Sequence, residues 1–157
     1  MSTPAAGPVD QCNCLALRQA ARHVTQLYDQ CLAPSGLRST QFSVLARLRR
    51  TGPLSINALA ADLVMDRTTL GRNILPLQRD GLVEVVTGRA DRRRRELRLT
   101  EAGAARLDTA VALWRQAQAG FEAAFGQARA ADLRALLHEV VTTELPAPRG
   151  AGSAGLR

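Results

Sequence analysis

At 157 residues the chain is long enough for one domain of ordinary size, with a core that needs no disulfide or metal to hold it. Hydrophobic residues make up 46% of it and aromatics only 3%, so the expected core is Leu, Val and Ala, a mix that favours helices. The net charge of +7 is carried by arginine without a single lysine, and no run approaches the roughly 18 apolar residues of a membrane span, which excludes that class.

Residues 1–11 are rich in Pro, Gly and Ala and are expected to form a disordered arm. They show no basic segment followed by an apolar one, so the expectation is no signal peptide and a cytoplasmic location. Apolar side chains then recur at Leu17, Ala20/Ala21, Val24, Leu27/Tyr28 and Cys31/Leu32, a spacing that predicts an amphipathic helix over 14–32. Pro34-Ser-Gly36 ends it. Thr40 is the expected cap of a second helix that turns Phe42, Val44, Leu45 and Leu48 inward and stops at Gly52-Pro53. Ser55 suits the N-cap of a short third helix over 56–63, and Asp66 that of a fourth over 67–79, terminated by Asp80-Gly81. The period then changes. Residues 82–87 read as a strand, 88–95 as a charged turn and 96–100 as the returning strand of a hairpin, which is too small to stand alone. Thr100 caps a long helix lined by Leu107, Val111, Trp114, Phe121 and Phe125, and Gly126 breaks it. A last helix over 130–145 carries Leu133, Leu136/Leu137 and Val140/Val141, and 146–157 reads as a disordered tail.

The positive charge is concentrated. Between Arg47 and Arg98 twelve arginines face six acids, whereas elsewhere nine face eight. A solvated face mixes signs, so this block calls for an anionic partner: nucleic acid first, then an anionic membrane surface, then an acidic protein. Within the block, the 56–63 helix joined by about three residues to the 67–79 helix is helix-turn-helix geometry, whose second helix enters the major groove by its N-terminal end. Its first turns carry suitable side chains. Arg67 or Arg72 can hold a guanine, Asn73 can pair with adenine, and Thr68 and Thr69 can reach phosphates or a thymine methyl. The competing reading is two ordinary bundle helices. Against it stands the turn that follows, with Arg89, Arg92, Arg93, Arg94 and Arg95 beside a lone Asp91: a wing whose arginine fits a narrow minor groove. Pro76 removes one i→i−4 bond and is expected to interrupt the second helix and bend its last turn.

Asp91-Arg-Arg93 followed by Leu97-Arg-Leu-Thr100-Glu-Ala-Gly103 closely resembles the wing and next helix start of MarR-type regulators. Asp66-Arg67-Thr68-Thr69 with Arg79-Asp-Gly81-Leu-Val83 is similar to that family's recognition helix and its exit, and the likeness covers about 14–141. It implies a mainly α, winged helix-turn-helix fold with long N- and C-terminal dimerisation helices and a two-stranded wing. Residues 12–145 would form a single domain, with a DNA-binding lobe at 39–100 and dimerisation helices at 12–34 and 101–145. The resemblance further implies a homodimer on double-stranded DNA at a pseudo-palindromic promoter site, usually repressing, released by a small effector and needing no cofactor. Arg93 then falls on the arginine that enters the minor groove and Asp91 on the carboxylate that orients it, flanked by Arg92 and Arg94.

The signal is less defined. Cys12, Cys14 and Cys31 are an odd number of cysteines and are read as thiols. One MarR branch, the organic hydroperoxide sensors, has a reactive cysteine at the start of its first helix. Aligned on Thr25-Gln-Leu-Tyr28, Cys14 is similar to that cysteine and Tyr28 to its tyrosine partner, which in that branch comes from the other subunit. Arg18 stands where the branch has a second tyrosine, and Cys12 is the candidate resolving thiol. A thiol near a helix N-terminus favours the thiolate that a hydroperoxide oxidises. Equally, Cys14 and Cys31 read as small apolar core residues and Cys12 as incidental. If they are inert, the implied effector is a small aromatic or anionic molecule, with Arg18, Arg22 and Arg38 able to meet a carboxylate unless they pair with Asp29 or Asp108. Cys12, Cys14 and His23 are too few and badly spaced for zinc. No phosphate loop, nucleophile elbow or carboxylate–histidine cluster suggests an enzyme. A protein-interaction module that does not bind DNA is the remaining class, and the arginine block counts against it.

Overall fold

The computed structural model describes residues 11–88 and 93–146. In chain order these form α1 (Asn13–Leu32), a 3₁₀ turn (Ala33–Ser35), α2 (Ser39–Thr51), β1 (Leu54–Ser55), α3 (Ile56–Asp62), α4 (Arg67–Arg79), β2 (Val83–Thr87), β3 (Arg95–Leu99), α5 (Glu101–Phe125) and α6 (Gln127–Thr142). Two compact units result, Met1–Gln118 and Ala119–Arg157, divided inside α5.

The core of the first unit is aliphatic, as the composition requires. Leu32 from α1, Val44, Leu45 and Leu48 from α2, Leu59 from α3, and Leu70, Ile74 and Leu77 from α4 meet Val83, Leu97 and Leu107 in one buried cluster. That cluster reaches beyond residues 39–100 at both ends, to Leu32 and Ala110. Phe42 of α2 stacks on Trp114 of α5, with ring centroids 6.0 Å apart. The rest of α1 is different. Its expected apolar stripe is exposed in the first half, at Leu17, Ala20 and Ala21, and half-buried at Val24, Leu27, Tyr28 and Cys31; Leu15, outside that stripe, is exposed as well.

The start of α2 departs from expectation. Thr40 does not cap it; the helix begins at Ser39, whose N–H donates to Asp29 Oδ1 of α1 at 2.7 Å, while Arg38 N–H donates to Gln41 Oε1 at 3.0 Å. Gln41, three residues after Arg38, is the local part of this cap, and the Asp29 part comes from another helix and has no local sequence signal. Pro76 likewise does not end α4, which continues to Arg79, with the Asp80 N–H bonding the Pro76 carbonyl at 2.9 Å. One missing bond is tolerated because Ile74 and Leu77, on either side of the proline, are both buried and hold the turn in place.

The hairpin forms as expected and gains a third strand. The order is β1-β3-β2, all antiparallel, with Val85 opposite Leu97, Leu97 opposite Leu54, and Ser55 opposite Glu96. Two residues are too few to show a strand period, which is why β1 was not visible in the sequence. Arg98 and Glu84 pair across β3 and β2 on the outer face at 2.8 Å.

At the base of the hairpin the chain is drawn tight. α4 ends in a left-handed Gly81 (φ 71°), with Leu82 N–H bonding the Leu77 carbonyl at 2.8 Å and Gly81 N–H that of Gln78 at 3.0 Å. Thr100 caps α5, accepting from Gly103 N–H at 3.0 Å, and donates its hydroxyl to the Gly81 carbonyl at 2.7 Å. Gly103 lies against the Leu82 carbonyl, and a Cβ there would also come within 2.7 Å of Leu99 Cδ1.

In the second unit, Phe121 and Phe125 stack at 5.4 Å, Arg129 lies 4.3 Å over the Phe125 ring, and Arg134 pairs with Glu122 at 3.2 Å. Gly126 (φ 97°) makes the break, and α6 starts at Gln127, earlier than its apolar pattern suggests, since its first turn carries no large apolar residue. Leu136, Leu137, Val140, Val141 and Leu145 are all exposed. Among the described residues no helix is long and apolar enough to cross a membrane, and no cluster of His, Cys, Asp or Glu is suited to a metal.

Gly103→Ala is expected to lower stability by about 2–3 kcal/mol, because the backbone of Leu82 cannot yield to the added methyl. Urea denaturation measures it, and an unchanged midpoint would contradict the close approach.

Candidate nucleic-acid interface

α3 and α4 are set by side-chain caps and by the turn between them. Ser55 Oγ accepts from Ala58 N–H at 3.2 Å and starts α3. The turn places Val64 in the left-handed region (φ 52°), a conformation that costs a β-branched residue about 1–2 kcal/mol, and leaves its side chain 70% exposed. Arg47 of α2 forms an ion pair with Asp62 at the end of α3. Leu59 and Ala60 of α3 and Leu70, Ile74 and Leu77 of α4 are buried, so the two helices are joined by their apolar faces.

Asp66 opens α4 with both carboxylate oxygens engaged. Oδ1 accepts from Thr69 N–H at 2.8 Å and Oδ2 from the Thr69 hydroxyl at 2.6 Å. That hydroxyl, and then the Thr69 N–H, hold the Asp66 carboxyl below its ordinary pKa of 3.8. Asn73 Nδ2 donates back to the Thr69 carbonyl at 2.9 Å. Two of the side chains expected to read bases, Thr69 and Asn73, are therefore bonded within their own helix. Arg67, Thr68 and Arg72 are exposed. At 100° per residue, Thr68 and Arg72 share one stripe with Leu75 and Arg79, both exposed. Those last two were not singled out from the sequence. The i, i+4, i+7, i+11 spacing opposite the buried Leu70-Ile74-Leu77 face was the signal that could have found them.

The wing leaves α4 through Gly81. Gly88 N–H bonds the Arg94 carbonyl at 2.8 Å and closes the described part of the hairpin, with Arg93 and Arg94 exposed. Asp91 and Arg92 lie outside the described residues, so the expected orientation of Arg93 by Asp91 falls there too. Between α4 and the sheet runs a groove of 310 Å³, lined by Ile56, Gly71, Leu75, Gln78, Val85, Arg95 and their neighbours. Arg95 was counted with the charged turn in the sequence. In the structure it is the first residue of β3, on the same face as Leu97.

The cysteines stand apart from this surface. Cys12 is the N-cap of α1, its sulfur accepting from Leu15 N–H at 3.4 Å; Cys14 is exposed and Cys31 half-buried. The Tyr28 hydroxyl donates to Gln118 Oε1 of α5 at 2.5 Å. Along one straight helix Cys14 and Tyr28 are about 21 Å apart, so they do not meet within a protomer. Of the acids considered as partners for Arg18, Arg22 and Arg38, Asp108 pairs with Arg49 at 2.6 Å and Asp29 caps α2. Arg38 and Asp29 both line a shallow hollow at the α1–α2 corner.

A helix-turn-helix with an exposed polar and arginine-bearing face, followed directly by an arginine-bearing hairpin, defines a winged helix-turn-helix, a class of duplex-DNA binder. The MarR family profile matches residues 37–94. The HTH-type transcriptional repressor NicR of Pseudomonas putida is 32% identical over 122 residues, which is 78% of this chain and 75% of NicR. The M. tuberculosis transcriptional regulator MosR, solved in complex with DNA, is 41% identical, with a TM-score of 0.70 over 85% of this chain and 100% of MosR. The transcriptional repressor CouR, solved on a 23-mer DNA duplex, is 26% identical, with a TM-score of 0.77 over 88% of this chain and 99% of CouR. The chain belongs to the MarR family of transcriptional regulators, which are DNA-binding proteins and not enzymes.

The lowered pKa of Asp66 gives the cap a pH signature. Its folded value lies below the ordinary 3.8, so its stabilisation is complete above that pH and lost as pH falls through the folded value. The difference in Tm between the wild type and Asp66→Ala is expected to be full at about pH 6 and to shrink below about pH 4. A difference that stays constant in circular-dichroism melts would remove the charged cap.

Proposed function

We propose that this regulator binds a pseudo-palindromic promoter site as a homodimer and represses transcription until a signal releases it. The observation that carries the reading is the outer stripe of α4, Thr68, Arg72, Leu75 and Arg79, exposed beside the exposed wing residues Arg93 and Arg94. Arg72 with Thr68 and Arg67 would read base edges in the major groove, and Arg93, with Arg92 and Arg94, would enter the minor groove. Thr69 and Asn73 are assigned to hold the helix start rather than to read bases. For dimerisation, the exposed apolar residues of α1 and, separately, those of α6 are the candidate surfaces, because each leaves large apolar side chains in water. The lobe at 39–100 and the flanking helices keep the roles the family resemblance implies. A regulator of this kind acts where the chromosome is, in the cytoplasm.

One candidate signal acts on the thiols. Cys12 and Cys14 are both exposed, two residues apart, and Cys12 caps α1. A hydroperoxide attacked by the Cys14 thiolate would give a sulfenic acid and an alcohol. Condensation with the Cys12 thiol would then form a disulfide and release water, removing the cap sulfur from Leu15. The alternative signal is a small aromatic or anionic effector at the Arg38 hollow.

Affinity for the upstream intergenic duplex is expected to fall by about 10³-fold or more between roughly 50 and 200 mM salt. Arg93→Ala should weaken binding while sedimentation still reports the dimer; wild-type affinity in that variant would remove the wing assignment. For the signal, hydroperoxide should abolish binding by the wild type and spare Cys14→Ser. Equal loss in both would retire the thiol.

A further inference from the structure

We propose that the groove between α4 and the wing sheet seats the sugar-phosphate strand separating the two DNA grooves, with Gly71 admitting the strand and Arg95 binding its phosphate. The inference rests on the DNA-binding reading above. A major groove and the adjacent minor groove are divided by one backbone strand. If α4 occupies the first and the wing tip the second, that strand must pass between them, across Gly71, Leu75 and Arg95.

The residues suit that occupant. Ile56, Val85 and Leu97 form an apolar floor fit for deoxyribose. Arg95 shares the sheet face of Leu97, which is buried, so it is turned toward α4, whereas Arg98 on the other face pairs with Glu84. Val85, opposite Leu97 in the register, and Arg95 stand on that one face, so the groove has an apolar floor with a guanidinium at its end. Gly71 is the most telling member. A Cβ there would meet nothing within 4 Å in this chain, and its backbone is ordinary helix, so neither packing nor conformation calls for glycine. A glycine inside a helix weakens it relative to alanine. The missing side chain therefore serves something that arrives from outside, and on this flank of α4 that is the strand.

Fluorescence anisotropy on the operator duplex and on an unrelated duplex, at several salt concentrations, tests the seat. Gly71→Ala is expected to raise Tm by about 2–4 °C and yet weaken both duplexes by at least about fivefold. Arg95→Gln should weaken both and reduce the log–log salt slope by about 1, the mark of one lost phosphate contact. If the wild type binds with a steep slope and either variant matches it, the seat is wrong while the DNA-binding reading stands. If Gly71→Ala keeps its affinity but no longer responds to a small effector, the groove is a ligand pocket and the inference is overturned. A wild type that binds neither duplex overturns both readings.

Discussion

Everything that faces DNA in this protein is aligned by one junction, where Thr100 and Gly103 at the start of α5 close on Gly81 and Leu82 at the end of α4. The Thr100 hydroxyl bonds the Gly81 carbonyl, the Thr100 N–H bonds that of Leu82, and Gly103 lets the helix backbone come against it. These contacts tie the exit of the recognition helix to both feet of the wing and to the helix that leads away. A hairpin of five-residue strands has too little area to orient itself. Its direction relative to α4 is inherited from this junction, and β1 adds a second anchor through Leu54.

The recognition helix divides its side chains among three tasks. Leu70, Ile74 and Leu77 hold it to the core. Asp66, Thr69 and Asn73 are spent on one another and make the first turn rigid. What remains outward is Thr68, Arg72, Leu75 and Arg79, with Arg67 on the flank. A helix that must present a fixed pattern to base edges gains from such rigidity, since side chains and turns frozen beforehand need not be ordered on binding. Val64, held in an unfavourable backbone region one turn before, shows that the geometry of the turn is imposed by packing on both sides rather than chosen locally.

The arginine block is not one feature but several. Arg47 and Arg98 are held by Asp62 and Glu84 and brace the scaffold, and Arg49 is paired with Asp108. Arg72, Arg93 and Arg94 stay on the outer surface and Arg95 faces the groove. Asp62 and Glu84 are thus taken up by arginines that brace the scaffold, and Asp80 by Arg79 at the end of α4.

Period and punctuation in the sequence determined the elements: the 3.6-residue apolar lines, the Ser55 and Asp66 caps, the glycine stops and the change to alternation at Val83 are all local signals, and the helix-turn-helix followed by a wing is legible from them. The Leu-Thr-Glu-Ala-Gly run is legible for the same reason at Thr100, which answers a local demand as the cap of α5. Only the tertiary structure decided which polar residues are free to act. Thr69 and Asn73 look like base readers until their hydrogen bonds are seen, Arg95 looks like part of a loop until the β3 register puts it on the face of Leu97, and the α2 cap from Asp29 and the two-residue β1 have no local trace. These depend on contacts between residues distant in sequence or on competition among neighbours for the same partner, and neither is recorded in the spacing of residue types.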